Sequence, residues 1–332
     1  MLMINRGLAL RNFRLVLSSY LQKNPKLQWR FAQIKHAFRG SYLRSSEASS
    51  QEKKGEFVFI VGCGRSGNTL LRRLLMKSYS IYIPPETYVL ADQIIRYSKI
   101  HNRSWSEKVD AVLSALECHP EFATFGVKSL TSFSKEAKSW SLDRKNFYSL
   151  IDGLYRWIGK ESGWISEWVG DKTPLNTLNL GIIQKSFPNA KFIYLERDPV
   201  DVVHSYLQSG IYNDAGKAAE RWVKSTVAWE NFKLIHGEDK CVEIRYEVLV
   251  KQPEVTLDKI ATIFEIPCVL SKYSGSSSFM GDVEAHAHHA NSVKPPSAAS
   301  IGKGRSNLSE LALIKIRPII GGYARKRGYS DI

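Results

Sequence analysis

An α/β fold with a central parallel sheet flanked by helices is what the sequence predicts, and three observations predict it. Short apolar runs alternate with stretches of helical apolar spacing from residue 56 to residue 266. The first such unit passes from the apolar run Phe57–Val61, through Gly62, Gly64 and Gly67, into Leu70, Leu71, Leu74 and Leu75 at helical spacing. A later unit repeats the scheme: strand Lys191–Leu195, a charged turn from Glu196 to Pro199, and a helix from Val200 to Gln208. Pro199 suits the first turn of that helix, where its missing N–H has no intrahelical partner. The glycine loop between Phe57 and Leu70 aims backbone N–H groups and the positive end of a helix at one point, which is a phosphate cradle. The expected architecture is therefore a P-loop-containing nucleotide-binding fold.

The remaining elements follow in order. Residues 8–21 and 27–39 form two basic amphipathic patterns separated by Asn24-Pro25, and Ser45 to Lys54 reads as a linker. The organisation predicted is a basic helical N-terminal extension over 1–54 and a main domain over 55–332. In the main domain, Ser80–Ile83 is extended and Pro84-Pro85-Glu86-Thr87 turns into a helix toward Ile95. Ser104 and Glu107 have the spacing of a capping box for a helix over 104–117. Phe122–Val127 reads as a short strand, and Asp143 as the cap of a helix to Lys160. The stretch from Trp164 is a strand running into the polar turn Gly170-Asp171-Lys172-Thr173-Pro174, before a helix from Thr177 to Lys185. A long helix is expected over Ala215–Ile235, with Trp222, Val223, Thr226 and Trp229 on its buried side. A strand over Cys241–Tyr246 and a helix from Pro253 that stops before Pro267 follow. Residues 271–306, rich in Ser, Gly, His and Pro, read as irregular, and a last helix runs from Ser309 through Ile320.

Composition narrows the function. With 332 residues, 43% of them hydrophobic and 24% charged, the chain has a globular composition with enough length for a substantial core. The net charge of +15 sits at the two ends: residues 1–54 carry +9 and residues 303–327 carry +6. These ends contain no aromatic-rich single-strand platform or recognition motif, so nucleic acid is not an expected partner. The basic N-terminal helices either pack on the main domain or touch a membrane surface or an anionic substrate. Four widely separated cysteines suggest buried thiols rather than a disulfide framework. With no apolar stretch approaching about 20 residues and no clean secretory signal, the expected location is cytoplasmic, peripheral to the membrane if those helices bind it. Glu284, His286, His288 and His289 are a weak zinc pattern, and no metal is expected.

The loop Gly62–Thr69 keeps the glycine spacing and hydroxyl of G-x-x-x-x-G-K-[ST] but has Asn68 at the Lys position. That counts against a P-loop kinase or nucleotide hydrolase unless Arg65 supplies the cation. Arg65-Ser66-Gly67-Asn68-Thr69 instead resembles the phosphosulfate-binding loop of the PAPS-dependent sulfotransferases. Arg197 and Ser205, eight residues apart on a strand end and the following helix, are similar to the family's pair for the 3′-phosphate, and Arg245-Tyr246-Glu247-Val248-Leu249 resembles a third segment of that family. The match is nearer the bacterial and tyrosylprotein-type branches.

The resemblance implies a P-loop sulfotransferase fold that binds PAPS, releases PAP and moves a sulfuryl group to an acceptor hydroxyl. It places Arg65 at the leaving phosphate and sulfuryl group, and Ser66, Gly67, Asn68, Thr69 and Leu70 at the 5′-phosphate. It puts Tyr246 near the cofactor, and makes Ser300 and Lys303 the donors of a late covering loop. Glu86 corresponds to the proposed base and Lys172 to a second cation near the sulfuryl oxygens, although Glu86 also reads as a helix-start carboxylate and Lys172 as a surface residue. Tyr88 stands where the tyrosylprotein branch carries Arg. The expected acceptor is accordingly a saccharide, glycolipid or secondary metabolite, with peptide tyrosine as the alternative.

Overall fold

The computed structural model describes residues 57–268, Gly281 and residues 295–330. The N-terminal extension over 1–54 and the histidine segment 284–289 lie outside them. Elements run in the order β1 (Phe57–Gly62), α1 (Asn68–Ser78), β2 (Ile81–Tyr82), α2 (Leu90–Lys99), α3 (Trp105–Glu117), α4 (Thr131–Lys138), α5 (Phe147–Glu161) and β3 (Trp168–Lys172). They continue with α6 (Leu180–Ser186), β4 (Lys191–Glu196), α7 (Pro199–Gln208), α8 (Ala215–His236), β5 (Cys241–Arg245), α9 (Tyr246–Lys251), α10 (Pro253–Phe264), α11 (Lys303–Asn307) and α12 (Glu310–Lys326).

The five strands form one sheet in the order β2-β3-β1-β4-β5, every pair parallel. Strand β1 is buried along its whole length, as a central strand covered on both faces must be. Phe57 and Phe59 pack with Phe187 and Phe192. A second core gathers Val200, Val203 and Tyr206 of α7, Ala218, Ala219 and Trp222 of α8, and Ile316 and Ile320 of α12. Register decides what meets at the sheet's C-terminal edge: Ile60 pairs with Lys172 on one side of β1, and Gly62 with Leu195 on the other. The loop after β1 and the ends of β3 and β4 therefore converge, as expected where connections leave a parallel sheet in opposite directions.

Several boundaries differ from the sequence expectation for identifiable reasons. Phe122–Val127 is not a strand: Pro120–Phe125 is a 3₁₀ turn, started by Pro120 and ended by Gly126 in the left-handed region. Asp143 lies in the 3₁₀ turn Leu142–Arg144, and Asn146 caps α5 by accepting from the Ser149 N–H at 2.8 Å. Helix α2 starts at Leu90, so Glu86 lies in the loop before it and not at a helix start. A 3₁₀ turn over Pro174–Asn179 precedes α6, because the Thr177 hydroxyl bridges back to the N–H and C=O of Gly62 at 2.8 and 2.9 Å. Within 271–306, Ala298–Ser300 and α11 are regular, and α12 passes Pro318 to Lys326 because Ile316, Ile320 and Ala324 stay buried. Helices α4 and α9 carry no signal that the apolar spacing revealed.

Two of the four cysteines are exposed: Cys63 and Cys241 are buried, Cys118 and Cys268 are not, and all four are free. The basic C-terminal run is largely paired internally. Arg305 meets Asp198, Lys315 meets Asp214, Lys326 meets Glu230, and Arg327 meets Glu196. Among the described residues no helix is long and apolar enough to cross a membrane.

Gly62 has φ +152°, and a Cβ there would lie 2.5 Å from the Leu195 carbonyl oxygen. Gly62→Ala must part β1 from β4 at their ends, and is expected to cost about 2–3 kcal/mol. Urea unfolding measures this, and a loss below about 0.5 kcal/mol would contradict the close approach.

Candidate active site

The site begins with the loop after β1. Arg65 takes φ +67° and Gly67 φ +97°, so the chain coils tightly before α1 starts at Asn68. A Cβ on Gly67 would strike the Tyr246 ring at 2.5 Å, which explains the glycine. The first N–H groups of a helix have no intrahelical acceptor, and α1 begins without a side-chain cap. The Asn68 amide donates to the Cys63 carbonyl at 2.9 Å, so it braces the loop from within. Leu70 turns into the core, leaving its backbone as the part that belongs to the cradle.

Lys172 brings a second cation, beside Arg65, against the loop. It ends β3, is fully buried, and donates to the Thr69 hydroxyl at 3.2 Å and to Glu86 Oε1 at 2.5 Å. The sequence alternatives of a surface lysine and a helix-start carboxylate are both replaced by this buried pair. Burying an ammonium is unfavourable unless it is paired and hydrogen-bonded. Thr69 and Glu86 meet that requirement.

On the other side of β1 stands Arg197, just past β4. Trp222 Nε1 donates to its carbonyl at 3.1 Å, which fixes the backbone where the strand passes into α7. Its guanidinium lies 4.5 Å from the Tyr246 ring centroid and donates to the carbonyls of Arg65 (3.2 Å) and Ser300 (2.8 Å). The Ser205 hydroxyl accepts from Arg65 Nε at 3.1 Å rather than from the Arg197 guanidinium. Arg197 and Ser205 are thus joined through Arg65. Burial lowers the Arg65 pKa from the ordinary arginine value, Tyr206 counteracts this, and the Arg197 charge adds to the lowering.

The late segment is tied to the same residues. Tyr246 and Ser300 share a hydroxyl hydrogen bond of 2.6 Å. Asp201, on α7, accepts from the Gly302 and Gly304 N–H groups at 2.9 and 2.7 Å, holding the start of α11. Lys303 is exposed on that short helix. His204 is half-buried, and burial lowers its pKa.

A phosphate-bearing nucleotide suits this donor set. Three cationic side chains, Arg65, Lys172 and Arg197, are brought to one edge of the sheet. Ser66 Oγ and Arg197 Nε are buried without a hydrogen-bond partner among the described residues. Buried donors left over at a cradle are what an oxygen-rich ligand would satisfy. Among the described residues no group of three His, Cys, Asp or Glu side chains gathers to hold a metal ion.

Sequence reasoning missed Asp201, Thr177 and the cluster Thr87, Tyr155 and Asp171. Asp171 accepts from the Tyr155 and Thr87 hydroxyls at 2.7 and 2.8 Å and from the Asn176 amide at 2.8 Å. Only the run Gly170-Asp171-Lys172-Thr173-Pro174 hinted that polar residues continue into the strand.

A model of the sulfotransferase family matches residues 58–269. The chain is 25% identical over 216 residues to protein-tyrosine sulfotransferase 1 of Danio rerio, covering 63% of this chain and 53% of that protein. It is 26% identical over 226 residues to the protein-tyrosine sulfotransferase of Drosophila melanogaster, covering 66% and 40%. The matched stretch spans two thirds or less of these curated relatives. In fold, the chain is similar to the sulfotransferase domain of the Synechococcus PCC 7002 olefin synthase (TM-score 0.52, 21% identity, 86% of this chain and 99% of that one). It is also similar to the sulfotransferase domain from the curacin biosynthetic pathway (TM-score 0.53, 21% identity, 85% and 100%).

Removing one member of the buried pair strands the other. Lys172→Met is expected to destabilise the protein by about 3 kcal/mol. Adding Glu86→Gln should restore more than half of that loss. Urea midpoints of the two single variants and the double variant check this, and a double-variant loss equal to the sum of the two single losses would show that the pair carries no coupling.

Proposed function

We propose, because this chain belongs to the sulfotransferase family, that it transfers a sulfuryl group from PAPS to an acceptor hydroxyl. The observation that carries the reading is the buried Lys172, which joins the hydroxyl of the phosphate loop to the Glu86 carboxylate. One ammonium connects the cofactor half of the site to a group able to accept a proton.

When bound, PAPS supplies the activated sulfuryl group. Ser66, Gly67, Asn68, Thr69 and Leu70 are the cradle for its 5′-phosphate, and Arg197 with Ser205 for its 3′-phosphate. Tyr246, Ser300 and Lys303 would hold it from the side of the late segment. Arg65 and Lys172 meet the negative charge that develops at the transferring group, and fixed donors of this kind act without reorganising. Glu86 takes the proton of the attacking hydroxyl at its carboxylate, held in place by the Lys172 ammonium.

The acceptor we propose is a hydroxyl on a saccharide, glycolipid or secondary metabolite. Tyr88, stacked on His119 with centroids 5.2 Å apart, supports an acceptor that does not rely on a cation two residues after Glu86. The names of the curated relatives favour a second reading, peptide tyrosine. The compartment we propose is the cytoplasm, peripheral to a membrane if the basic segment 1–54 binds one.

Calorimetric titration with PAP, beside ADP and ATP with and without Mg²⁺, tests the cofactor. PAP is expected to bind preferentially. Arg197→Ala should weaken it by about 2 kcal/mol, roughly 30-fold, through loss of charged hydrogen bonds. Mg²⁺-dependent ATP binding with no preference for PAP would return the chain to the kinase or hydrolase alternative.

A further inference from the structure

We infer that Asp171 is a positioning residue that, through Thr87, Thr173 and Tyr155, holds the Glu86 carboxylate against the Lys172 ammonium. The inference rests on the reading of Glu86 as proton acceptor. It concerns residues that contact neither the acceptor nor the cofactor in that reading.

Strand geometry separates the two functions of β3. Successive side chains point to opposite faces, so Lys172 faces the phosphate loop while Asp171 faces Tyr155 on α5. Asp171 is 1% exposed, with the Tyr155 and Thr87 hydroxyls donating to Oδ2 and the Asn176 amide to Oδ1. Burial pushes its pKa up, and the Tyr155, Thr87 and Thr173 hydroxyls pull it back.

These contacts flank the Glu86–Lys172 pair on both strands of chain. Thr87, next to Glu86, gives its hydroxyl to Asp171 at 2.8 Å and its N–H to Thr173 Oγ1 at 3.0 Å. Asp171 and Thr173 are the two neighbours of Lys172. Any slip of the Glu86 loop along the end of β3 would break two buried hydrogen bonds, each with no solvent to replace it.

The loop has reason to slip. Tyr88 has φ +56°, and the Val89 N–H reaches back to the Thr87 carbonyl at 2.6 Å, a tight three-residue turn. A bulky residue holds such a conformation only where its surroundings enforce it. The Asp171 cluster grips the residue immediately before this turn and so maintains the strained geometry beside Glu86.

The test compares Asp171→Asn, Thr87→Val, Thr87→Ser, Tyr155→Phe and Glu86→Gln. It uses PAPS turnover with 4-nitrophenol as acceptor probe, PAP affinity by calorimetry, and urea unfolding. Misplacing a reacting group by about 1 Å costs about 100-fold. Thr87→Val and Asp171→Asn should each lower kcat by about that factor with the PAP dissociation constant within about threefold of wild type. The double variant should be little worse than either single one. Thr87→Ser, which keeps the hydroxyl, should recover most of kcat, and Tyr155→Phe should fall between. Wild-type kcat in Thr87→Val, or PAP affinity falling in step with kcat, overturns the inference. Should Asp171→Asn fail to fold, the Thr87 and Tyr155 variants decide the same question. Glu86→Gln separates the two levels: full activity there defeats the proton-acceptor reading itself, whereas an inactive Glu86→Gln beside an unimpaired Thr87→Val defeats only the positioning.

Discussion

The arrangement of the site depends on one buried ammonium. Lys172 has no exposed surface, and its charge is met by the Thr69 hydroxyl and the Glu86 carboxylate. Solvent cannot stabilise it there, so the phosphate loop, the end of β3 and the loop after β2 must all be in place together. Strand order makes this feasible: β3 lies directly beside β1, with Lys172 level with Ile60, two residues before the loop turns at Gly62. The Asp171 cluster on the opposite face of β3 acts on the same edge and braces the loop that carries Glu86.

The other half of the site is organised by a second strand end. Arg197 is held through its own carbonyl by Trp222, and its side chain reaches the phosphate loop and Ser300. Asp201, one helical turn later, secures Gly302 and Gly304. Gly304 is required there, since a Cβ would lie 2.3 Å from the Val200 carbonyl oxygen. The late segment is therefore anchored to the same turn that presents Arg197.

Much of this was legible beforehand where local physics is decisive. The change from an apolar run to helical spacing located β1 and α1, and the Ser104–Glu107 capping box is present as read, with Ser104 accepting from the Glu107 N–H at 3.3 Å. Pro199 starts α7 as expected. Failures fall where a side chain answers to a distant partner. Thr177 delays α6 because its hydroxyl is engaged by Gly62, 115 residues earlier. Asp143 and Asn146 are both competent caps, and Asn146 is the one whose side chain accepts from the Ser149 N–H, while Asp143 lies in the preceding 3₁₀ turn.

The sequence by itself determined the main alternation of strands and helices and the glycine loop with Arg65, because glycine spacing, hydrophobic period and residue chemistry are local properties, while the resemblance to the sulfotransferases singled out Glu86, Lys172 and Arg197 as candidates. Tertiary structure alone decided that Lys172 pairs with Glu86, that Ser205 meets Arg65 instead of Arg197, and that the C-terminal basic run is spent on internal ion pairs. Those partnerships join residues 86 to 140 positions apart for the first two cases. They are set by strand order and register, which bring the ends of β1, β3 and β4 together, and a carboxylate or hydroxyl carries no local mark of the donor that will finally reach it.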